Sequence, residues 1–247
     1  MPAITDNPTK TVLITGAARR IGRAIALDMA RSGWAVAIHY RRSRADAEAL
    51  VEDISRAGGS ARAFHADLAD IPGLSDLVAR CASDLGAPSC LINNASEFLL
   101  DSLETLDEAT WDKHLDINLK APVFLAQALV RHLPEGVEGN IINIIDQRVW
   151  KLTPEFFSYT ISKAGLWTAT RTLAQGLAPR VRVNAIGPGP VLRSVHQTDE
   201  DFAIEQRSTL LDTGPSTEEI AAAVRFILAA PSMTGQMIAL DGGQHLT

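Results

Sequence analysis

Seven short, β-rich apolar runs alternate with helical stretches along almost the whole chain, and this alternation restricts the fold more than any other feature. The runs fall at 11–15, 34–39, 61–65, 89–92, 140–146, 181–186 and 236–240. Between them, helical patterns cover 20–32, 44–57, 71–85, a long region 107–133 and 157–178, with two more at 199–210 and 216–230 before the last run. In the first helix Ile21, Ala24, Ile25, Leu27 and Met29 keep apolar groups near helical spacing, and Gly33 follows its end as a C-terminal glycine should. Strands that are apolar on both faces must be covered on both faces. The expectation is α/β: a single doubly wound parallel sheet of about seven strands, with right-handed crossovers and ligands at the C-terminal strand ends. Residues 1–10 read as a polar, loosely held tail before a domain spanning 11–247.

Composition removes other classes. The 247 residues carry 23 Lys plus Arg against 29 Asp plus Glu, a net charge of −6, which is not the footprint of a nucleic-acid binder. Hydrophobic residues at 46% and charged residues at 21% exclude wholesale disorder. No apolar stretch approaches the roughly 18 residues of a membrane span, and no secretory signal precedes the first strand. Cys81 and Cys90 are the only cysteines, too few for a disulfide framework or a Cys-rich zinc site, so a reduced cytoplasmic setting is expected. His39, His65, His114, His132, His196 and His245 lack metal-ligand spacing, so packing or surface roles and no metal are expected.

Chemistry concentrates at the ends of the strands. After the first run comes Thr15-Gly16-Ala17-Ala18-Arg19-Arg20-Ile21-Gly22. Gly16 permits a tight turn, Gly22 permits close helix–strand packing, and the helix N-terminus offers N–H groups to a phosphate; an ordinary strand–helix turn would look similar. The second run ends in His39-Tyr40-Arg41-Arg42-Ser43-Arg44, with no carboxylate before Asp46. An NAD enzyme places an acid there for the ribose 2′-hydroxyl, whereas arginines and a serine suit a 2′-phosphate or merely open a solvated helix. Asp67-Leu68 follows the third run, where Asp67 is either a helix cap or a ligand contact. Tyr159 and Lys163 are four apart in a helical stretch and so share a face. An ammonium beside a phenol is expected to lower its pKa and ready it for proton transfer. Asp146 ends the fifth run; a carboxylate there suits a substrate with N–H groups, or a ring nitrogen awaiting a proton, better than a developing alkoxide.

Taken together these segments resemble the short-chain dehydrogenases/reductases, a Rossmann-type family, over about residues 11–243. The turn resembles the family's Thr-Gly-x-x-x-Gly-x-Gly, with Arg20 in place of the middle glycine, and Asn93-Asn94-Ala95-Ser96 is similar to its Asn-Asn-Ala-Gly. The resemblance implies that Tyr159, Lys163 and Asn118 form a proton relay, that Lys163 also holds the nicotinamide ribose, and that Pro188-Gly189 borders the nicotinamide. Most members carry a serine thirteen residues before the tyrosine, where this chain has Asp146. Asp146, Arg20, Ser96 in Asn-Ala-Ser-x-Phe, and His-Tyr-x-Arg-Ser at 39–43 are the pattern of the pteridine reductases. That narrower likeness implies NADPH/NADP+ held by Gly16, Arg19, Arg20, Ile21, Tyr40, Arg41, Arg42, Ser43, Asp67, Leu68, Asn94, Ala95 and Ser96. It implies a pterin bounded by Arg20, Ser96, Phe98 (as a stacking ring), Asp146 and Tyr159, in an enzyme most like a dihydromonapterin or dihydropteridine reductase. A cofactor half of about 11–146, a catalytic and substrate half of about 147–247, and a homotetramer built on the long helices complete the expectation. A general carbonyl reductase and a non-catalytic NADP-binding regulator are the competing readings.

Overall fold

The computed structural model describes residues 10–194 and 197–247. The expected tail, apart from Lys10, and His196 lie outside the described residues. Lys10 is already held: its carbonyl accepts the Ala35 N–H at 2.9 Å.

The seven strands are β1 (Thr11–Ile14), β2 (Ala35–Tyr40), β3 (Ala61–His65), β4 (Pro88–Asn93), β5 (Gly139–Ile144), β6 (Val181–Pro188) and β7 (Met237–Leu240). They form one parallel sheet in the order β3-β2-β1-β4-β5-β6-β7. Among the described residues, eight α-helices connect them: α1 (Arg20–Arg31), α2 (Arg44–Arg56), α3 (Ile71–Leu85), α4 (Glu108–Leu115), α5 (Ala121–His132), α6 (Phe157–Leu177), α7 (Asp199–Arg207) and α8 (Thr217–Ala229). The expected α/β architecture is therefore present.

The strand period of two builds the core. Val12 and Ile14 of β1 face one side, packed with Ile25 and Met29 of α1, Leu50 of α2 and Val224 of α8. Leu13 faces the other, packed with Leu77 of α3, Leu125 of α5 and Val183 of β6. The strands are added in one direction from β1 to β3 and in the other from β4 onward, so the order switches beside β1, whose neighbours are β2 and β4. A crevice opens beyond the strand ends at such a point.

Three expected elements are corrected. The region 107–133 is not one helix: a π-helical turn, Asp116–Lys120, separates α4 from α5. Pro122 explains it, because without an N–H it cannot donate to the carbonyl of Asn118 four residues back. The strand expected at 140–146 stops at Ile144, so Asp146 leaves the sheet and caps a 3₁₀ turn, Gln147–Val149, through its side chain. The helix expected at 199–210 likewise ends at Arg207.

The glycine turn is pressed against the end of β4. A Cβ on Gly22 would lie 2.5 Å from the Gly16 carbonyl and 2.6 Å from Asn94 Nδ2. Gly22→Ala is therefore expected to destabilise the fold by about 1–3 kcal/mol, as overpacking does. Urea unfolding measures it, and an unchanged midpoint would show that the turn has room to spare.

Candidate active site

A cleft of 880 Å³ opens at the C-terminal ends of the strands. Every expected site residue lines it except Asp67 and Asn118. The Asp67 carboxylate instead accepts the Ala69 N–H at 3.1 Å, while Leu68 beside it reaches the cleft. The α3 N-cap is Asp70, so Asp67 is not that helix's cap.

At one end lies the glycine turn. Helix α1 starts at the cleft with no side-chain cap and no acid in its first turn, which leaves its N-terminal dipole for an anion. Gly16 is left-handed at φ +62°, and its N–H donates to His39 Nδ1 at 3.1 Å. Since Nδ1 accepts, the His39 proton sits on Nε2, facing the Ala66 carbonyl at 3.2 Å. Burial holds this imidazole down to about 4, so it is a neutral clamp on the turn. Arg20, standing where the family pattern has glycine, also adopts a left-handed backbone at φ 55°. A non-glycine residue there costs of order 1 kcal/mol or more. Its guanidinium donates to the carbonyls of Leu192 (3.0 Å) and Arg193 (2.9 Å), tying the turn to the segment after β6.

Arg41, Arg42 and Ser43 follow β2 and line the same end. Arg41 makes an ion pair with Glu97 at 2.8 Å, a partner the sequence did not reveal because the two are 56 residues apart. Asn94 joins the turn to β4: its Nδ2 donates to the carbonyls of Thr15 (2.9 Å) and Gly16 (3.2 Å). Thr15 Oγ1 in return accepts the N–H groups of Asn94 and Ala95, each at 3.0 Å.

At the other end, Tyr159 and Lys163 project from the first turns of α6, both buried (5% and 2% exposed). The Tyr159 hydroxyl donates to Asp146 Oδ2 at 2.8 Å, and Asp146 Oδ1 accepts the Arg148 N–H at 2.8 Å. Lys163 Nζ donates to the Ile144 carbonyl at 2.9 Å and lies 5.7 Å from the Tyr159 ring centre. The expected lowering of the phenol pKa is corrected. Burial, together with the Asp146 carboxylate that accepts its proton, raises Tyr159 well above 10. Burial also raises Asp146, so its carboxyl keeps a proton to higher pH than usual, and pushes the Lys163 ammonium down to about 8. The three groups form a buried proton-holding cluster, with the carboxyl as its acidic member.

Asn118 sits in the π-helical turn behind this cluster rather than in the cleft. Its Oδ1 accepts from the Glu97 N–H (2.8 Å) and Ser96 Oγ (3.2 Å). Its Nδ2 donates to the Glu97 carbonyl (2.9 Å) and Ser162 Oγ (3.0 Å). Asn118 therefore joins the segment after β4 to α6. Phe98 stands edge-on to Tyr159, ring centres 4.7 Å apart, and stacks on Phe156 at 4.3 Å with planes 6° apart. Phe156 and Arg148 line the cleft too, though sequence reasoning passed over both. Their spacing, one turn before Tyr159 and two residues after Asp146, was the available signal. Pro188 and Gly189 close the floor; a Cβ on Gly189 would lie 2.7 Å from Asp241 Cα. No group of three potential metal ligands occurs among the described residues.

Comparison with known proteins identifies the family. Residues 10–202 match the family described as short chain dehydrogenase. The chain is 34% identical over 244 residues to the 3-oxoacyl-[acyl-carrier-protein] reductase FabG of Staphylococcus aureus (strain N315), covering 96% of this chain and 99% of that protein. The crystal structure of FolM Alternative dihydrofolate reductase 1 from Brucella canis complexed with NADP superposes with TM-score 0.94 at 50% identity, covering 96% of this chain and 94% of that one. A short-chain dehydrogenase/reductase from Serratia marcescens BCRC 10948 superposes with TM-score 0.90 at 31% identity, covering 96% and 98%. The chain belongs to the short-chain dehydrogenase family.

The cluster predicts a one-sided pH profile. Lys163 is charged below about 8 and neutral above it, and Asp146 also loses its proton as pH rises. If both protonated forms are needed, kcat/KM declines through about 8 toward alkaline pH. Tyr159→Phe keeps the ring against Phe98 and should keep the melting temperature, yet lose at least about 100-fold in turnover. A variant with near-parental turnover would exclude the phenol as proton carrier.

Proposed function

We propose that the chain is an NADPH-dependent reductase of a pteridine-ring C=N bond, converting a dihydropterin to a tetrahydropterin in the manner of a dihydromonapterin reductase. The observation that carries this reading is the Tyr159 hydroxyl on the Asp146 carboxylate at 2.8 Å, at the edge of the Phe98 ring. The NADP complex of a 50% identical structure supports the cofactor, and the name of that structure, an alternative dihydrofolate reductase, supports a reduced pterin-type ring.

The residues fit a phosphorylated dinucleotide. Gly22 leaves no space for a side chain between turn and helix, α1 is uncapped at the cleft, and the end of β2 offers Arg42 and Ser43 with no carboxylate in the sequence before Asp46, while Glu97 is paired with Arg41. In this reading Arg19, Arg20 and Ile21 hold the pyrophosphate, and Arg41, Arg42 and Ser43 the 2′-phosphate. Tyr40, Asp67, Leu68, Asn94, Ala95 and Ser96 line the nucleoside, and Pro188 and Gly189 the nicotinamide. NADPH supplies the hydride when bound.

The protein's part is to hold the ring and deliver a proton. Phe98 gives the planar substrate a stacking face, which contributes roughly 0.5–1.5 kcal/mol beyond area burial. Ser96 and Arg20 bound the same pocket. Asp146, raised by burial, keeps a proton for a ring nitrogen, directly or through the Tyr159 hydroxyl. Lys163 holds the ribose and keeps a positive charge beside the pair, and Asn118 fixes the segment bearing Ser96. The division into a cofactor half, about 11–146, and a catalytic half, about 147–247, follows from these roles.

A second reading, reduction of an open-chain ketone, is supported by the FabG relatives at 34% identity. A carboxyl at 146 in place of a hydroxyl speaks against it, because once it has given up its proton it only accepts hydrogen bonds and repels a developing alkoxide. We also propose a cytoplasmic homotetramer built on α5 and α6, where Phe124 and Ile161 are partly exposed; light scattering of a monomer would remove it.

The deciding experiment is Asp146→Ser, assayed with a dihydropterin and an activated ketone, each with NADPH and NADH. Parent enzyme should prefer the dihydropterin and NADPH. The variant should lose at least about tenfold in the dihydropterin-to-ketone ratio of kcat/KM, with the NADPH KM unchanged. An unchanged ratio would transfer the assignment to the ketone reading.

A further inference from the structure

Helix α6 begins without a cap of its own. Phe156 precedes it in the left-handed region, at φ 53°, no side chain of its N-cap accepts a helix N–H, and its first turn holds no acid. The first turn of this helix nevertheless carries Tyr159, so its position must be fixed from elsewhere.

Asp101 fixes it. Asp101 lies in the segment after β4, three residues beyond Phe98, and is buried (3% exposed). Its carboxylate accepts the Ser158 N–H at 3.2 and 3.3 Å, and also the Ser158 hydroxyl. An anion at a helix N-terminus answers both the unpaired N–H groups and the dipole. The Ser158 hydroxyl has one proton, given to Asp101, so it accepts from its other neighbour. That neighbour is His114 Nδ1, 2.6 Å away, from α4. The far nitrogen, Nε2, accepts the Leu99 N–H at 3.0 Å. A backbone amide can only donate, so Nε2 carries no proton and the His114 proton is on Nδ1. Burial keeps this imidazole below its ordinary value, in agreement with a neutral ring. The chain of donors is thus directional and complete: Leu99 N–H to His114, His114 to Ser158, Ser158 to Asp101. It starts at Leu99 and ends at Asp101, both just beyond Phe98 in the same segment.

We propose that His114, Ser158 and Asp101 are positioning residues that lock the Phe98 segment onto the first turn of α6, and so set where a stacked ring lies relative to the Tyr159 hydroxyl. The lock stands on the hydrogen bonds alone; its effect on a ring substrate rests on the pteridine reading. The His114 ring is itself 5.9 Å from that of Tyr159, edge to face, so the lock touches the phenol as well as the segment. None of the three meets the cleft, so they act through Phe98 and Tyr159 and not on substrate.

The test uses two variants. His114→Phe keeps a ring of similar volume and removes both hydrogen bonds. Ser158→Ala keeps His114 but strips its Nδ1 proton of a partner, so the tautomer that accepts from Leu99 is no longer favoured. In both, the Leu99 amide should exchange with solvent deuterium at least about tenfold faster, the effect of losing one buried hydrogen bond, while β1 and β4 amides keep their parental rates. kcat/KM for the dihydropterin should fall about 10- to 100-fold, as displaced reacting groups do. The KM for NADPH should stay within about twofold, and a compact ketone that does not use Phe98 should lose less. Unchanged Leu99 exchange in either folded variant would overturn the lock. Equal fractional losses on dihydropterin and ketone would reduce the three residues to general stability and overturn it too. Failure of the pteridine reading shows separately, as a parent enzyme that reduces no dihydropterin; Leu99 exchange then decides the lock.

Discussion

The structure depends on the contact between the glycine turn and the end of β4. Asn94 spends its amide on two carbonyls of the turn, and Thr15 returns the bonds to two backbone N–H groups beyond β4. The two strands on either side of the switch in strand order are thereby closed at their C-terminal ends. Gly16 and Gly22 are small because this closure leaves no volume, and His39 must be neutral because it accepts the Gly16 N–H inside it. The cofactor end of the cleft hangs from that closure: α1 departs from one side of it, and Ser96 and Phe98 from the other.

Burial then sets the chemistry. A lysine, a carboxyl and a phenol packed together out of water each resist their charged forms. For the carboxyl, the Arg148 N–H, the charges of Arg148 and Lys163 and the Tyr159 hydroxyl moderate that resistance, whereas for the phenol the same bond to Asp146 adds to it. A serine at 146 would leave a simpler site, in which the ammonium dominated the phenol. The carboxyl places a second proton-holding group beside the phenol, and with it changes the kind of atom that the site can protonate.

The architecture was legible because it rests on periodicity. Alternating apolar runs and helices gave the sheet, and the residues after each strand gave the cleft. What stayed hidden depends on contacts distant in sequence. Nothing near Arg41 announces Glu97, and nothing near Ser158 announces Asp101 or His114, which read only as an unremarkable histidine without ligand spacing. The direction of the Tyr159 shift was misjudged because spacing shows that Lys163 is close, but neither that the phenol is buried nor that its hydroxyl donates to Asp146. The π-helical turn was readable from Pro122, yet a long apolar helical pattern outweighed a single proline.

The strand order has a consequence for the chain as it is made. β2 pairs with β1, β3 with β2, β4 with β1, β5 with β4, β6 with β5 and β7 with β6. Each strand after the first therefore meets an edge that already exists when it leaves the ribosome, and none must wait for a partner still to be translated. Synthesis proceeds from the N-terminus at about 5–20 residues per second. The strand order thus permits the sheet to extend outward from β1 in the order in which the message is read.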